Sequence, residues 1–423
     1  MEMKKYKLGE ILDVKRGASL AGEYYSATGK YVRLTCGNFD YINNTFKINT
    51  SKENLYYTGQ VRDEFIMKKG DIITPLTEQA IGLLGSTAII PEDDKYIQSQ
   101  DIAKIICKEG LLYPMYAYYL ISSKAVKMQL SAAAQQTKIR HTSPDKIKDC
   151  VVWIPELEKQ KRIASILSSL DKKIALNHAI NRNLEALAKQ LYDYWFVQFD
   201  FPNEDGKPYK SSGGAMVYNE DFKRYIPKEW KYLILNNWLE IKSGFPFSSD
   251  TFKDEGKYKI ITIKNVQDGF LDTSGCDFID ELPIKSKDYI KLNVGDCLIS
   301  LTGNCGRLCI VTEQYLLLNQ RVGVICCKDP NYKEFAYQLF RSEYIQAICE
   351  NLANGAAQAN LSPIELCKCH CVLPTKEIIE IYNHVAIPIR DTITKNTQVI
   401  SNLIKLRDEL LPLLMNGQVS VNS

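Results

Sequence analysis

The sequence predicts a mixed α/β protein of two similar domains, each followed by a long helix. Three observations predict it. Strand-like segments recur: KGDIITPLT (residues 69–77) returns as VGDCLISLT (294–302), and YVRLT (31–35) returns as YKIIT (258–262). Each of the latter is followed by a turn holding an Asn, Asn38 or Asn265. Ser143-Pro144 and Ile154-Pro155 return as Ser362-Pro363 and Leu373-Pro374, at one offset of 219 positions. The segments after these marks carry heptad spacing.

Residues 1–155 alternate short β-branched runs with Gly, Asn, Asp and Pro: YVRLT, GDIIT, STAIIP (86–91) and DIAKIIC (101–107). A helical stretch, residues 113–130, follows them, so the region reads as a mixed α/β domain. Residues 229–374 repeat the order with YKIITI, GDCLISL, RVGVICC and a helix over 334–352. Between the domains, residues 156–197 form a first long helix, with no Pro or Gly over 158–196. Residues 198–228, rich in Pro, Gly, Asn and Ser, read as an ordered crossing linker. A second long helix spans 375–416, and 417–423 are a tail.

In the first helix Ile163, Leu167, Leu170, Ile174, Asn177, Leu184 and Leu191 hold one heptad frame, with Asn181, Ala188 and Trp195. The second repeats it with Ile389, Ile393, Asn396, Ile400, Leu403, Leu410 and Leu414; Arg407 interrupts the seam, and Pro388 should break or kink the helix start. Such a seam favours a coiled-coil partner. Asn177 and Asn396 occupy the same frame position, and a seam Asn fixes register. The two helices are therefore expected to pair antiparallel, as rods of about 60 Å, around a pseudo-two-fold axis. The alternative is that each helix only covers its own domain. A near-symmetric molecule suits a repetitive ligand, and duplex DNA leads.

Bulk properties narrow the class. A chain of 423 residues, 45% hydrophobic and 24% charged, fits two to four globular domains. No apolar run approaches membrane-spanning length, and MEMKKYKLGEIL is too polar for a secretory signal. The net charge of +3 confines any nucleic-acid surface to a local patch. Thirteen cysteines contain no Cys-x-x-Cys. Cys367, Cys369 and Cys371 alternate along a strand whose counterpart holds only Cys150, which reads as core filling rather than zinc. A reducing, cytoplasmic setting follows.

Chemistry-bearing motifs are missing. Asp329-Pro330-Asn331-Tyr332 lacks the second Pro of an amino-methyltransferase turn and has no glycine-rich cofactor loop upstream. No G-x-x-x-x-G-K-[ST] occurs. Pro144-Asp145 with Asp171-x-Lys173 fails as a nuclease signature because Asp171 lies inside the heptad helix. His141, His178, His370 and His384 show no paired metal spacing. No catalytic and no metal-binding residue is expected.

Domain, heptad helix, linker, similar domain, heptad helix: this order resembles the specificity subunit of type I restriction–modification systems over essentially the whole chain. Residues 165–196, the linker stretch 201–219 and LLPLLMNGQV (410–419) carry the resemblance. It implies two target-recognition domains, each reading one half of a split, asymmetric duplex DNA target, with the helices setting the unread gap. It further implies no catalysis in this chain. Two methylation subunits that modify adenine, and two ATP-driven restriction/translocation subunits, would be its partners. S-adenosylmethionine, ATP and Mg would be bound by them and not by this chain.

Three loop sets have the side chains that base and phosphate contacts need. The first holds Lys15 and Arg16 in one repeat, Lys242 and Ser243 in the other. The second holds Thr77 and Gln79, against Thr302, Asn304 and Arg307. The third holds Gln135, Gln136, Lys138 and Arg140, against Asn354, Gln358 and Asn360. Tyr194, Trp195 and Phe196 exceed what one seam needs, and either dock a methylation subunit or pack against the preceding domain. Two rival classes stay open: an enzyme that methylates or cleaves alone, and a scaffold that clasps protein instead of DNA.

Overall fold

The computed structural model describes residues 2–41, 43–50, 53–78, 82–133, 140–353 and 360–419. The chain divides into two compact units, Met1–Ile174 with Asn402–Ser423, and Ala175–Ser401.

In the first unit, strand Lys4–Lys7 pairs antiparallel with Val151–Ile154 and ties the start of the first repeat to its end. A four-stranded antiparallel sheet runs in the order Ala88–Ile89, Ile72–Pro75, Ile102–Cys107, Leu12–Arg16. The GDIIT run is apolar without alternation because both faces of this sheet are covered. Ile72 joins the core beneath helices Pro114–Ile121 and Lys124–Ala133, whereas Ile73 joins a second core with Leu34, Met67 and Tyr96. Successive strand residues point to opposite faces, so Ile102 and Ala103 divide in the same way. A smaller sheet, Tyr96–Ile97, Tyr31–Arg33, Tyr56–Tyr57, Tyr25–Ser26, closes the second core.

The second unit repeats this plan. Lys231–Ile234 pairs with His370–Leu373, and the main sheet runs Leu239–Ser243, Val322–Cys327, Cys297–Ser300, Leu308–Ile310. Leu298 again faces one core while Cys297 and Ile299 face the other. The repeated Ser-Pro pairs are helix starts. Ser143 Oγ accepts from the Lys146 N–H and Ser362 Oγ from the Glu365 N–H, each with Pro in the first turn, where no N–H is needed. The repeated Asn residues are structural as well: buried Asn38 and Asn265 accept from the N–H groups of Thr35 and Thr262 and donate to a carbonyl across their turns.

The long helices are Leu157–Tyr192 and Lys376–Met415. Every seam residue is buried or half-buried. In the first unit Ile163 and Leu167 share a core with Leu414 and Met415, and Arg407 Nη1 lies 3.2 Å from Asp171 Oδ1. In the second unit Leu184 and Ala188 pack against Ile389 and Ile393, and Asn396 Nδ2 donates to Asn181 Oδ1 at 3.0 Å. Partners run in opposite order along the two helices within each unit, so the packing is antiparallel.

Asn396 donates to Asn181, a seam position of the other kind, as antiparallel packing requires. Two expectations need correction. Pro388 does not break its helix: it sits on the exposed face, so its missing N–H and its ring lie away from the packed seam. Arg407 does not disrupt the seam, since Asp171 and Asp408 neutralise its buried guanidinium.

Within the linker region, Met216–Asn219 and Arg224–Pro227 form a hairpin. Phe201 stacks between Tyr209 and Trp230, with ring centroids at 4.5 and 4.9 Å, in the second unit's core.

Candidate nucleic-acid interface

In both units the loop sets converge on one backbone frame. Gly17 follows strand Leu12–Arg16, and its N–H donates to Ile102 O at 3.1 Å; Gly244 does the same to Val322 O at 3.1 Å. The next N–H, of Ala18 or Phe245, donates to Gln98 O or Leu318 O at 3.0 and 2.9 Å. No side chain fits there: a Cβ on Gly17 would lie 2.3 Å from Ser99 O, and one on Gly244 2.2 Å from Leu318 O. Glycine is required at this close crossing of backbones.

The segment crossed by that glycine turns sharply. Ile102 N–H donates to Ser99 O at 3.0 Å and Val322 N–H to Asn319 O at 2.9 Å, each closing a β-turn. The turn is then tied to the second loop set. Leu76 N–H donates to Asp101 O at 2.7 Å, and Leu301 N–H to Arg321 O at 3.0 Å. Thr142 N–H to Leu76 O, and Leu361 N–H to Leu301 O, add the third set at 2.9 and 2.7 Å.

Side chains knit the same elements. In the first unit Arg16 Nε donates to Gln100 O at 2.8 Å, and Thr77 Oγ1 lies 3.2 Å from Asp101 Oδ1 and 3.4 Å from His141 Nδ1. Arg140 stands opposite Glu78 in a two-residue ladder. Lys15 is exposed on the neighbouring strand. In the second unit Thr302 and Asn360 face each other in an isolated bridge, with Oγ1 to Oδ1 at 3.2 Å. Asn304 is exposed on a turn bounded by Gly303 and Gly306, both at positive φ.

Two candidates are already committed within the fold. Arg307 Nη1 donates to Gln267 Oε1 at 2.8 Å. Lys242 Nζ sits 2.6 Å from Glu240 Oε1, and that hydrogen bond holds its pKa above the usual lysine value; its neighbour Ser243 gives its carbonyl to the Tyr289 hydroxyl. Gln79, Gln135, Gln136, Lys138, Asn354 and Gln358 lie outside the described residues, as does the Arg140 side chain.

Sequence reasoning missed the β-turn itself, Gln100–Asp101 and Gln320–Arg321. The signal was available: QDIAKIIC and QRVGVICC each place Gln two positions before the long central strand.

The aromatic candidates are also corrected. Trp195 and Phe196 are buried in the second unit's core, where Phe196 meets Phe335 and Tyr382 at 4.9 Å and Trp195 meets Tyr382 at 5.7 Å. A single π turn, Asp193–Val197, directs both rings inward and leaves Tyr194 outside. The surface left open in this unit lies elsewhere on the helices. Helix Lys333–Arg341 covers one flank of the pair through ion pairs of Arg341 with Glu185 and of Glu334 with Arg390. On the opposite flank Leu176, Ile180 and Leu187 of one helix and Ile381, Val385 and Val399 of the other remain exposed.

All thirteen cysteines are free thiols, and most are buried. Burial pushes the Cys150 thiol up to about 11 and the Cys371 thiol up to about 12. Among the described residues no three His, Cys, Asp or Glu side chains gather as metal ligands, and no helix is long and apolar enough to cross a membrane.

Known proteins match this architecture. The family described as type I restriction modification DNA specificity domain matches residues 1–186 and 227–400. The chain is 26% identical to the type I restriction enzyme MjaIX specificity subunit of Methanocaldococcus jannaschii, over 76% of this chain and 73% of that one. It is 24% identical to the type I restriction enzyme HindI specificity subunit of Haemophilus influenzae, over 99% and 100%. The crystal structure of the type I restriction–modification S subunit from M. genitalium superposes with a TM-score of 0.60 at 16% identity, covering 100% of this chain and 97% of that one. That likeness concerns the fold alone.

Proposed function

The chain belongs to the type I restriction–modification DNA specificity family, and from that premise we propose that each repeat reads one half of a split, asymmetric duplex target. It is a DNA-recognition component and not a catalyst. The supporting observation is the shared loop frame. The same five backbone hydrogen bonds recur in both units while the side chains they display differ. One scaffold carrying two sets of base-facing groups is what a bipartite target with unlike halves requires.

The chain carries this reading to two methylation subunits, which bind S-adenosylmethionine and methylate adenine. Two restriction subunits use ATP and Mg to translocate and cut. The complex works in the cytoplasm. The exposed flank of the helix pair in the second unit is the docking face we assign to a methylation subunit. A helix with an apolar stripe would lie along it, burying Leu176 and Leu187. Changing both to Lys should leave thermal unfolding unaltered and abolish co-purification of the methylation subunit. Retained co-purification removes this face from the assignment.

Mapping methylated adenines after co-expression with the methylation subunits tests the central reading. The expected outcome is one motif of two unlike halves around an unread gap. A continuous motif, or methylation without sequence preference, contradicts it.

A further inference from the structure

Within the frame described above, the β-turn corner differs from the loops around it. Its first corner residue is Gln in both units, Gln100 and Gln320; its second is Asp101 in one and Arg321 in the other. Both glutamines and Arg321 are exposed, and Asp101 is half-buried. The residues on either side are buried or partly so: Gln98 and Ser99 before, Ile102 after, with Leu318, Asn319 and Val322 in the other copy. The backbone of the corner is held from three directions, by its own turn bond, by the crossing glycine and by the second loop set. A polar side chain on so constrained a backbone has a fixed origin, and base reading needs that.

Arg321 sharpens the point. Three of the six arginines in this unit grip another side chain through hydrogen bonds: Arg307 holds Gln267, Arg341 holds Glu185 and Arg390 holds Glu334. Among the described residues the Arg321 guanidinium has none, and neither has the Gln100 or Gln320 amide. Asp101 gives only Oδ1 to Thr77, which leaves Oδ2 for another donor.

Building on the reading of one half-site per repeat, we propose that this corner reads bases in both halves. The exchange of Asp101 for Arg321 is what makes the two halves read different ones. The geometry of donors and acceptors sets the pairing. A guanidinium matches O6 and N7 of guanine with two parallel hydrogen bonds, whereas a carboxylate accepts from the N4 amine of cytosine. The neighbouring Gln in each half has an amide suited to N6 and N7 of adenine. The corner therefore gives the second unit a guanine contact and the first a cytosine contact, each beside an adenine contact.

The full chain, co-expressed with its methylation subunits in a host free of adenine methylation, supplies the test, with methylated sites mapped across the host genome. Arg321→Ala should turn one guanine of one half-site degenerate, with discrimination falling about tenfold to a hundredfold and the other half unchanged. Asp101→Ala should relax one position in the other half only. Arg321→Lys, which keeps the charge but loses the planar fork, should relax the same position as Arg321→Ala. Should Arg321→Ala fail to assemble, Arg321→Gln serves in its place with the same expectation. An unchanged motif in these variants overturns the proposal. So does uniform loss at every site without any relaxed position, because that marks a phosphate contact. Both results leave the two-half reading standing. A wild-type motif without two halves would instead remove the reading on which the corner depends.

Discussion

The two repeats share a skeleton and differ in what it displays. Gly17 and Gly244 cross equivalent backbones, Ser143 and Ser362 cap equivalent helices, and Asn38 and Asn265 close equivalent turns. The displayed groups diverge: Arg16 against Ser243, Gln100–Asp101 against Gln320–Arg321, His141 against Asn360 as the neighbour of the threonine. The glycine, serine and asparagine that shape the backbone are kept, whereas most of the outward-facing groups differ. Scaffold and displayed surface are thus largely separate sets of positions in each unit.

Where the long helices meet each domain, the units are not equivalent. In the second, buried Arg390 makes a forked contact with half-buried Glu334 at 3.0–3.2 Å. In the first, Arg407 reaches Asp171 at 3.2 Å, and Asp171 keeps the Tyr119 hydroxyl as a second partner at 2.5 Å. Arg390→Ala strands a half-buried carboxylate and should destabilise the second unit by about 3 kcal/mol, the low end for a broken buried pair. Arg407→Ala should cost less, about 1–3 kcal/mol, because Asp171 remains hydrogen-bonded. Hydrogen exchange resolved to peptides of each unit separates the two; equal losses would erase the contrast.

Smaller and equal effects are expected where the skeletons coincide. Gly17→Ala and Gly244→Ala each force a methyl into a carbonyl oxygen and should cost about 1–3 kcal/mol, each weakening methylation at target sites. A loss confined to one of them would show that the frame matters in one half only. Ser143→Ala and Ser362→Ala remove matched helix caps and should cost about 1 kcal/mol each by the same measurement.

Much of this architecture was legible in the residues because it rests on periodicity. The heptad frame emerged from spacing alone, and the burial of Ile163, Leu167, Ile393 and Ile400 follows that spacing. The Ser-Pro marks carried a local mechanism, capping, that needs no tertiary context. Other features depend on context. Trp195 and Phe196 look surplus to a regular helix, and only a widened turn sends them into the core. Pro388 obeys its rule locally, yet its exposed position spares the seam. The Gln corner escaped notice because its exposed side chains leave no apolar pattern, and its significance lies in hydrogen bonds to distant loops.

The ladder of Lys4–Lys7 with Val151–Ile154, matched by Lys231–Ile234 with His370–Leu373, carries one more consequence. Each repeat leaves the chain and returns to it at adjacent points, closed by four residue pairs. A foreign domain ending in two strands of the same register would satisfy that ladder without disturbing the helix that follows. The molecule is therefore divided, in its covalent layout, into replaceable heads and a retained stem.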